Sequence, residues 1–249
     1  MATILISSST LLKSISISYS QNLMSNYWSF ISKLKHLNFN TLKFNFKYFD
    51  FKTAIKFPVI VSSSVYLKKM AGKIVLDFPW ETGSVLLGFG DVGIFDKHTS
   101  RSIWEVNSGT VVFKGRAAIR HGSKISVNNG MLQFGENFKI TAESTVVCTD
   151  ASVVFGNNNL LSWDILIMTS DFHPIFDAAG DYINQPKNII FGNDVWIGCR
   201  TTVLKGSRIP NGCVIAASSL VAAEFMNKNT LLGGHPAKEL KKEITWRDA

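Results

Sequence analysis

In the stretch Ser170-Asp171-Phe172-His173-Pro174 an imidazole and a carboxylate stand two residues apart. Imidazole is the side chain whose ordinary pKa lets it take and return a proton near neutral pH, so His173 is the candidate general base. Asp171 is placed to orient that ring or to attract a cationic group. The chain holds five His (His36, His98, His121, His173 and His235), and a histidine in a loop, taken alone, reads as solvated or structural. Cys148, Cys199 and Cys213 make an odd count without C-x-x-C spacing. They argue against a disulfide framework or a zinc knuckle and for a reducing compartment. Gly88 to Gly93 fit G-x-G-x-x-G, but the run FDKHTSRSIWEV beyond them carries no helical period. A dinucleotide fingerprint needs a helix there, so these glycines read as turns.

The elements that must carry His173 show themselves as a repeat. From Phe191 a branched or aromatic apolar residue recurs every six positions: Phe191, Ile197, Val203, Ile209, Ile215 and Val221. The residue after each is mostly small or a turn former (Gly192, Gly198, Pro210, Ala216), and four places on comes Val195, Thr201, Ser207, Cys213 or Ser219. Shorter runs keep the period upstream: Phe155, Leu161, Ile167; Phe134, Ile140, Val146; and Ile119, Ile125, Met131. The phase slips between runs, as bulges or turn insertions would make it. A helix repeats at 3.6 residues and a strand at 2, so neither sustains a period of six. Short strands joined by tight turns into a triangular coil do, and each coil is stable only against its neighbours. The spacing therefore predicts an all-β solenoid, a parallel β-helix of hexapeptide repeats. About twenty residues, Thr169 to Asn188, interrupt it, and a long loop on a rigid solenoid is where function is usually carried. Beyond Val221 the period fails. AKELKKE (237–243) follows Pro236 and predicts a short C-terminal helix over the open end.

The chain has 249 residues, 46% hydrophobic and 18% charged, with a formal charge of +8. That length holds one domain with an extension, and no apolar run reaches the ~18 residues of a membrane-spanning helix. Residues 1–70 contain nine Lys and one acid, Asp50, while the remainder balances at 17 bases and 17 acids. A neutral body thus follows a cationic segment. Without a recognisable binding motif, that distribution argues against nucleic acid. Residues 22–37 place Leu23, Tyr27, Phe30, Ile31 and Leu34 at helical spacing, which predicts an amphipathic helix packed on the body or lying on an anionic membrane surface. Residues 38–70 alternate over LKFNFKYFDFK and read as strand. The boundaries that follow are an extension over 1–72 and a repeat domain over 73–249, in a cytoplasmic protein with an optional peripheral membrane contact through the N-terminal segment.

The segment FGNDVWIGCRTTVLKGSRIPNGCVIAASSLVAAEF with LLGGHPAKELKK resembles the hexapeptide-repeat acyltransferases. It is most similar to galactoside and maltose O-acetyltransferases and to the sugar O-acetyltransferases of polysaccharide synthesis. The resemblance spans about residues 74–247 and is most specific in DFHP, G-x-x-V-W-I-G and G-x-P-A-K. It implies a left-handed parallel β-helix, an exception to the usual crossover hand. It also implies a homotrimer with acetyl-CoA lying between adjacent helices as acyl donor, and no metal. His173 then matches the base that takes a proton from a sugar hydroxyl as its oxygen attacks the thioester. A backbone N–H near Gly198 and Cys199 would stabilise the oxyanion. Trp196 matches a cleft tryptophan, Gly198, Cys199 and Ala217 the small positions along the pantetheine arm, and Lys238 and Lys241 basic positions near the nucleotide. On the acceptor side stand Asp171, beside His173 in the loop, and Asp164, Trp163, Glu143 and Asp150, which are chosen by register alone. Ala222-Ala223-Glu224 departs from the Thr-Lys common there, which puts one nucleotide-end contact in doubt. The zinc-dependent γ-class carbonic anhydrases share the solenoid but need three zinc-binding His, two of them closely spaced, and the nearest upstream His, His121, lies 52 residues from His173. The implied activity is O-acetylation of a carbohydrate hydroxyl by direct transfer. N-acylation of an amino sugar and a non-catalytic scaffold are the alternatives.

Overall fold

The apolar residues of the six-residue repeat, Met131 excepted, become rungs of three internal ladders. The computed structural model describes residues 37–90, 92–96 and 99–248. Over these, strands follow one another through three sheets of nine, seven and six strands, parallel throughout except for the last strand. This is a left-handed parallel β-helix. In the nine-stranded sheet the inward ladder runs Leu87, Ile119, Ile140, Leu161, Ile197, Ile215, Leu232. In the seven-stranded sheet it runs Trp104, Ile125, Val146, Ile167, Val203, Val221. The third ladder is aromatic: Phe113, Phe134, Phe155 and Phe191 stack with ring centroids 5.2, 5.8 and 4.6 Å apart, and Ile209 continues it. All of these side chains are buried, so apolar surface meets apolar surface at every rung and drives the coiling.

The phase slips have a simple cause. Paired residues lie 18 apart in the later coils (Trp196 with Val214) but 21 apart in the earlier ones (Phe138 with Ala117). The three extra residues lengthen the second strand of each early coil, Lys124–Asn128 and Thr145–Thr149, and its following turn. Met131 is therefore not an inward residue. Leu132 and Phe134 are buried in its place.

Three sequence expectations are corrected. LKFNFKYFDFK is helix, not strand: α1 spans Phe39–Tyr48 and α2 spans Phe51–Ala54. Alternation misleads here because Thr41, Phe44 and Tyr48 also fall at helical spacing, and Asn38 caps the helix through Asn40 N–H and Thr41 N–H. The solenoid starts before residue 73, since β1 (Val59–Val61) pairs with β4 (Val85–Leu87), and β2 (Tyr66–Met70) with β5 (Ile103–Val106). The C-terminal helix is absent. β21 (Leu231–Gly234) turns back through β22 (Ala237–Lys241) as an antiparallel pair. An isolated seven-residue helix nucleates poorly, whereas β22 satisfies the otherwise open edge of β21. Of the amphipathic helix expected over 22–37, all but Leu37 lies outside the described residues.

At the other end α1 closes the edge of β1 with side chains. Asn45 Nδ2 donates to Val59 O at 2.6 Å and Asn45 Oδ1 accepts from Val59 N–H at 3.4 Å. Thr41 Oγ1 both donates to Val61 O and accepts from Val61 N–H, each at 3.0 Å. The two residues imitate a neighbouring strand, while buried Phe44 seals the ladder against Trp104 with centroids 5.4 Å apart.

Candidate functional site

The triangular coil has three edges, and the site residues divide among them. At the edge between the nine- and seven-stranded sheets, successive coils place His121, Ala142, Trp163, Cys199 and Ala217 in equivalent positions. The backbone ladder fixes this: Glu143 N–H donates to His121 O, Arg200 N–H to Trp163 O and Ser218 N–H to Cys199 O, at 2.8 to 3.0 Å. The residue after each turns the corner in the left-handed region, Glu143 at φ 47°, Asp164 at 55°, Arg200 at 59° and Ser218 at 59°. Gly198 is buried at this edge, and a Cβ there would stand 2.6 Å from Ala217 N. Its glycine is thus required by the stacking of coils. Gly198 N–H is spent on Ile215 O at 2.8 Å, whereas Cys199 N–H has no acceptor among the described residues. With Cys199 half-buried and Ala217 exposed, this part of the edge is a strip of small side chains, and neither Cys199 N–H nor Ala217 N–H has an acceptor among the described residues.

His173 stands at a different edge. Its loop leaves the seven-stranded sheet after β14 (Leu166–Met168) and enters the six-stranded one at β15 (Ile189–Phe191). The imidazole is exposed, but its backbone is held: His173 N–H donates to Asp171 O at 2.8 Å and Asn184 Nδ2 to His173 O at 3.0 Å. Asp171 is the knot of the loop. It pairs with Lys205 Nζ at 2.5 Å and accepts from Asn184 Nδ2 at 2.7 Å, while Lys205 also donates to Asn184 O. The Lys205 hydrogen bond, and then that of Asn184, hold the Asp171 carboxyl below its ordinary range. Thr169 pins the root of the loop, its Oγ1 donating to Thr149 O at 2.9 Å and accepting from Thr149 N–H at 2.8 Å. Sequence reasoning missed Asn184 and Lys205, which belong to no motif. Lys205 is 34 residues from its partner, and only the coil register brings them together.

The remaining candidates are scattered. Glu143 is mostly buried and pairs with Lys124 at 3.3 Å. Asp150 sits at the loop's edge, accepting from Asn129 Nδ2 at 2.9 Å. Trp163 and Asp164 share the strip's edge. Trp196 is 38% exposed, donates from Nε1 to Ser162 Oγ at 3.2 Å, and meets Trp246 with ring centroids 6.0 Å apart. Lys238 and Lys241 are exposed on β22. As strand residues three apart they lose the common face a helix would have given them. One unforeseen feature is His121, which is 3% exposed with neither ring nitrogen hydrogen-bonded. It lines a cavity of about 270 Å³ with Ser62, Ser64, Ser100 and Phe89.

No protein-family model matches the chain. It is 40% identical over 72 residues to a chloramphenicol acetyltransferase of Klebsiella aerogenes, covering 29% of this chain and 34% of that one. It is 31% identical over 134 residues to a polysialic acid O-acetyltransferase of Escherichia coli O1:K1, covering 53% of this chain and 41% of the relative. The chain thus spans between a third and a half of the length of these relatives. The crystal structure of the polySia-specific acetyltransferase NeuO superposes with a TM-score of 0.57 at 21% identity, over 76% of this chain and 91% of that one. The chain is similar over part of its length to acetyltransferases and shares its β-helix fold with one of them. Among the described residues no three His, Cys, Asp or Glu side chains gather as a metal site, and no helix is long and apolar enough to cross a membrane.

Proposed function

We propose that the chain is an acyl-CoA-dependent O-acetyltransferase acting on a carbohydrate hydroxyl in surface-polysaccharide synthesis, and that it works as a homotrimer. The observation that carries the reading is the His173 loop, an exposed imidazole on a segment tied to a rigid solenoid by Lys205, Asp171 and Asn184. In this reading His173 takes the proton of the acceptor hydroxyl as its oxygen attacks the thioester carbonyl of acetyl-CoA. The tetrahedral oxyanion accepts from Cys199 N–H. Its collapse expels the CoA thiolate, which receives the proton from His173, and leaves an acetyl ester on the sugar. The strip at Cys199 and Ala217 suits a slender pantetheine arm because both side chains are small. Trp196 borders the same coil, Lys238 and Lys241 supply positive charge for the nucleotide phosphates, and Asp164 and Trp163 face the acceptor. Asp171, Glu143 and Asp150 have partners within the protein and serve the scaffold.

The trimer is supported by two features. His173 and the Cys199 strip occupy different edges of one coil, so a second copy is needed to bring a strip to each loop. The loop also exposes Phe172, Ile175, Phe176 and Ile183, each more than half accessible, an apolar cluster of the kind that marks an interface.

Purified protein given acetyl-CoA and a suitable oligosaccharide is expected to release free thiol. His173→Ala is expected to lower kcat by ~10²–10⁴-fold with an unchanged melting temperature, because the side chain is exposed. Full activity in His173→Ala would overturn the assigned base. A wide acceptor screen without turnover, together with calorimetry showing no CoA binding, would overturn the enzyme reading.

A further inference from the structure

The outer face of α1 and α2 breaks the ordinary rule for a surface helix. The inner face is spent on the solenoid through Thr41, Phe44 and Asn45, all fully buried. An outer face should then be polar. Instead Phe39 is 75% and Phe51 70% exposed, and Leu42, Phe46 and Ile55 are exposed with them. Phe46 and Phe51 touch, with centroids 6.1 Å apart, so the cluster is continuous across the two helices. Lys43, Lys47, Lys52 and Lys56 are exposed among these side chains. The one acid of the segment, Asp50, is exposed but engaged in capping α2, its carboxylate accepting from Thr53 N–H and Thr53 Oγ1.

We propose that this face docks the protein on an anionic lipid bilayer. Bulky rings flanked by long, flexible cations are what a headgroup boundary accepts. The rings enter the apolar margin, while each lysine lays its stem along the surface and leaves its ammonium among the phosphates. Charge complementarity selects this occupant over an apolar protein groove, since four ammonium groups would have to be desolvated in such a groove without counter-charges. The proposal stands apart from the acetyl-transfer reading, because none of these residues belongs to the loop or the strip.

The test is co-sedimentation of the full chain with vesicles of phosphatidylcholine alone and with vesicles rich in phosphatidylserine. Binding is expected to the anionic vesicles, weaker by about tenfold or more on the neutral ones and falling with salt. The double variants F39S/F51S and K43Q/K47Q are each expected to lose at least about tenfold in binding. Both should keep the wild-type unfolding transition and thiol release. Absence of binding to anionic vesicles would overturn the proposal, as would binding unchanged in both variants, which would assign the contact to residues 1–36. Self-association without lipid that F39S/F51S abolishes would also overturn it, making the face a contact between copies.

Discussion

A general base has to be both accessible and held, and His173 meets these demands with different atoms. Its ring is exposed while its backbone is fixed by Asp171 and Asn184. Lys205 is the remote anchor, so Lys205→Met is expected to lower kcat by ~10–100-fold through misplacement of the base. The melting temperature should barely move, because the inward ladders are untouched, and faster hydrogen exchange over 171–184 would show the loosened loop. The same tie predicts an acid limit. Asp171 is held below its ordinary value, so its contribution is complete above about pH 4 and is lost as pH falls through the lower folded value. In Lys205→Met that loss should begin at higher pH, measurable as exchange of the loop amides against pH. His173 could be singled out as a candidate because a short motif surrounds it, and Asp171 could be expected to attract a cation. The cation itself could not be named, since Lys205 lies 34 residues on and only the coil register brings it to the loop.

The solenoid shows which elements declare themselves in sequence. A repeat whose inward residues stack on their own copies writes its geometry in one dimension, and every residue from Phe191 to Val221 in the series of six is buried as its period demands. The two ends break that rule because they must close open edges instead of stacking. α1 hides its purpose in Thr41 and Asn45, polar residues whose partners are backbone atoms of β1 rather than anything periodic. Asn45→Ala removes the two hydrogen bonds of Asn45 to Val59 and leaves those buried groups unpaired, while Thr41 keeps its pair with Val61. It is expected to cost ~1–3 kcal/mol of stability, read from urea unfolding of the whole chain. An unchanged midpoint would mean that water replaces the amide at the edge. β22 carries the complementary lesson. Ala, Glu, Leu and Lys favour helix, but an unsatisfied strand edge beside them outweighs that weak preference.

For the whole molecule, the charge imbalance and the divided site point to the same requirement, that the chain works against other surfaces. The surplus of +8 is not confined to an appendage, since α1, α2 and the first strands carry part of it and belong to the solenoid's cap. Lys68, for one, is paired with Glu105 at 3.0 Å. The divided site gives the sharper prediction. If the loop of one copy serves the strip of the next, a chain lacking the base and a chain with a blocked strip can complement each other. His173→Ala and Ala217→Trp, each inactive alone, should regain activity when denatured together at equal amounts and refolded. Random assembly into a cyclic trimer puts an intact loop against an intact strip in about a quarter of the sites. Activity near that fraction, with light scattering giving three chain masses, would fit a shared site. A site built within one chain cannot be rescued by mixing at any ratio, because every copy in the mixture carries one of the two lesions. Activity that stays at zero while the mixed trimer forms would therefore return both halves of the chemistry to a single copy.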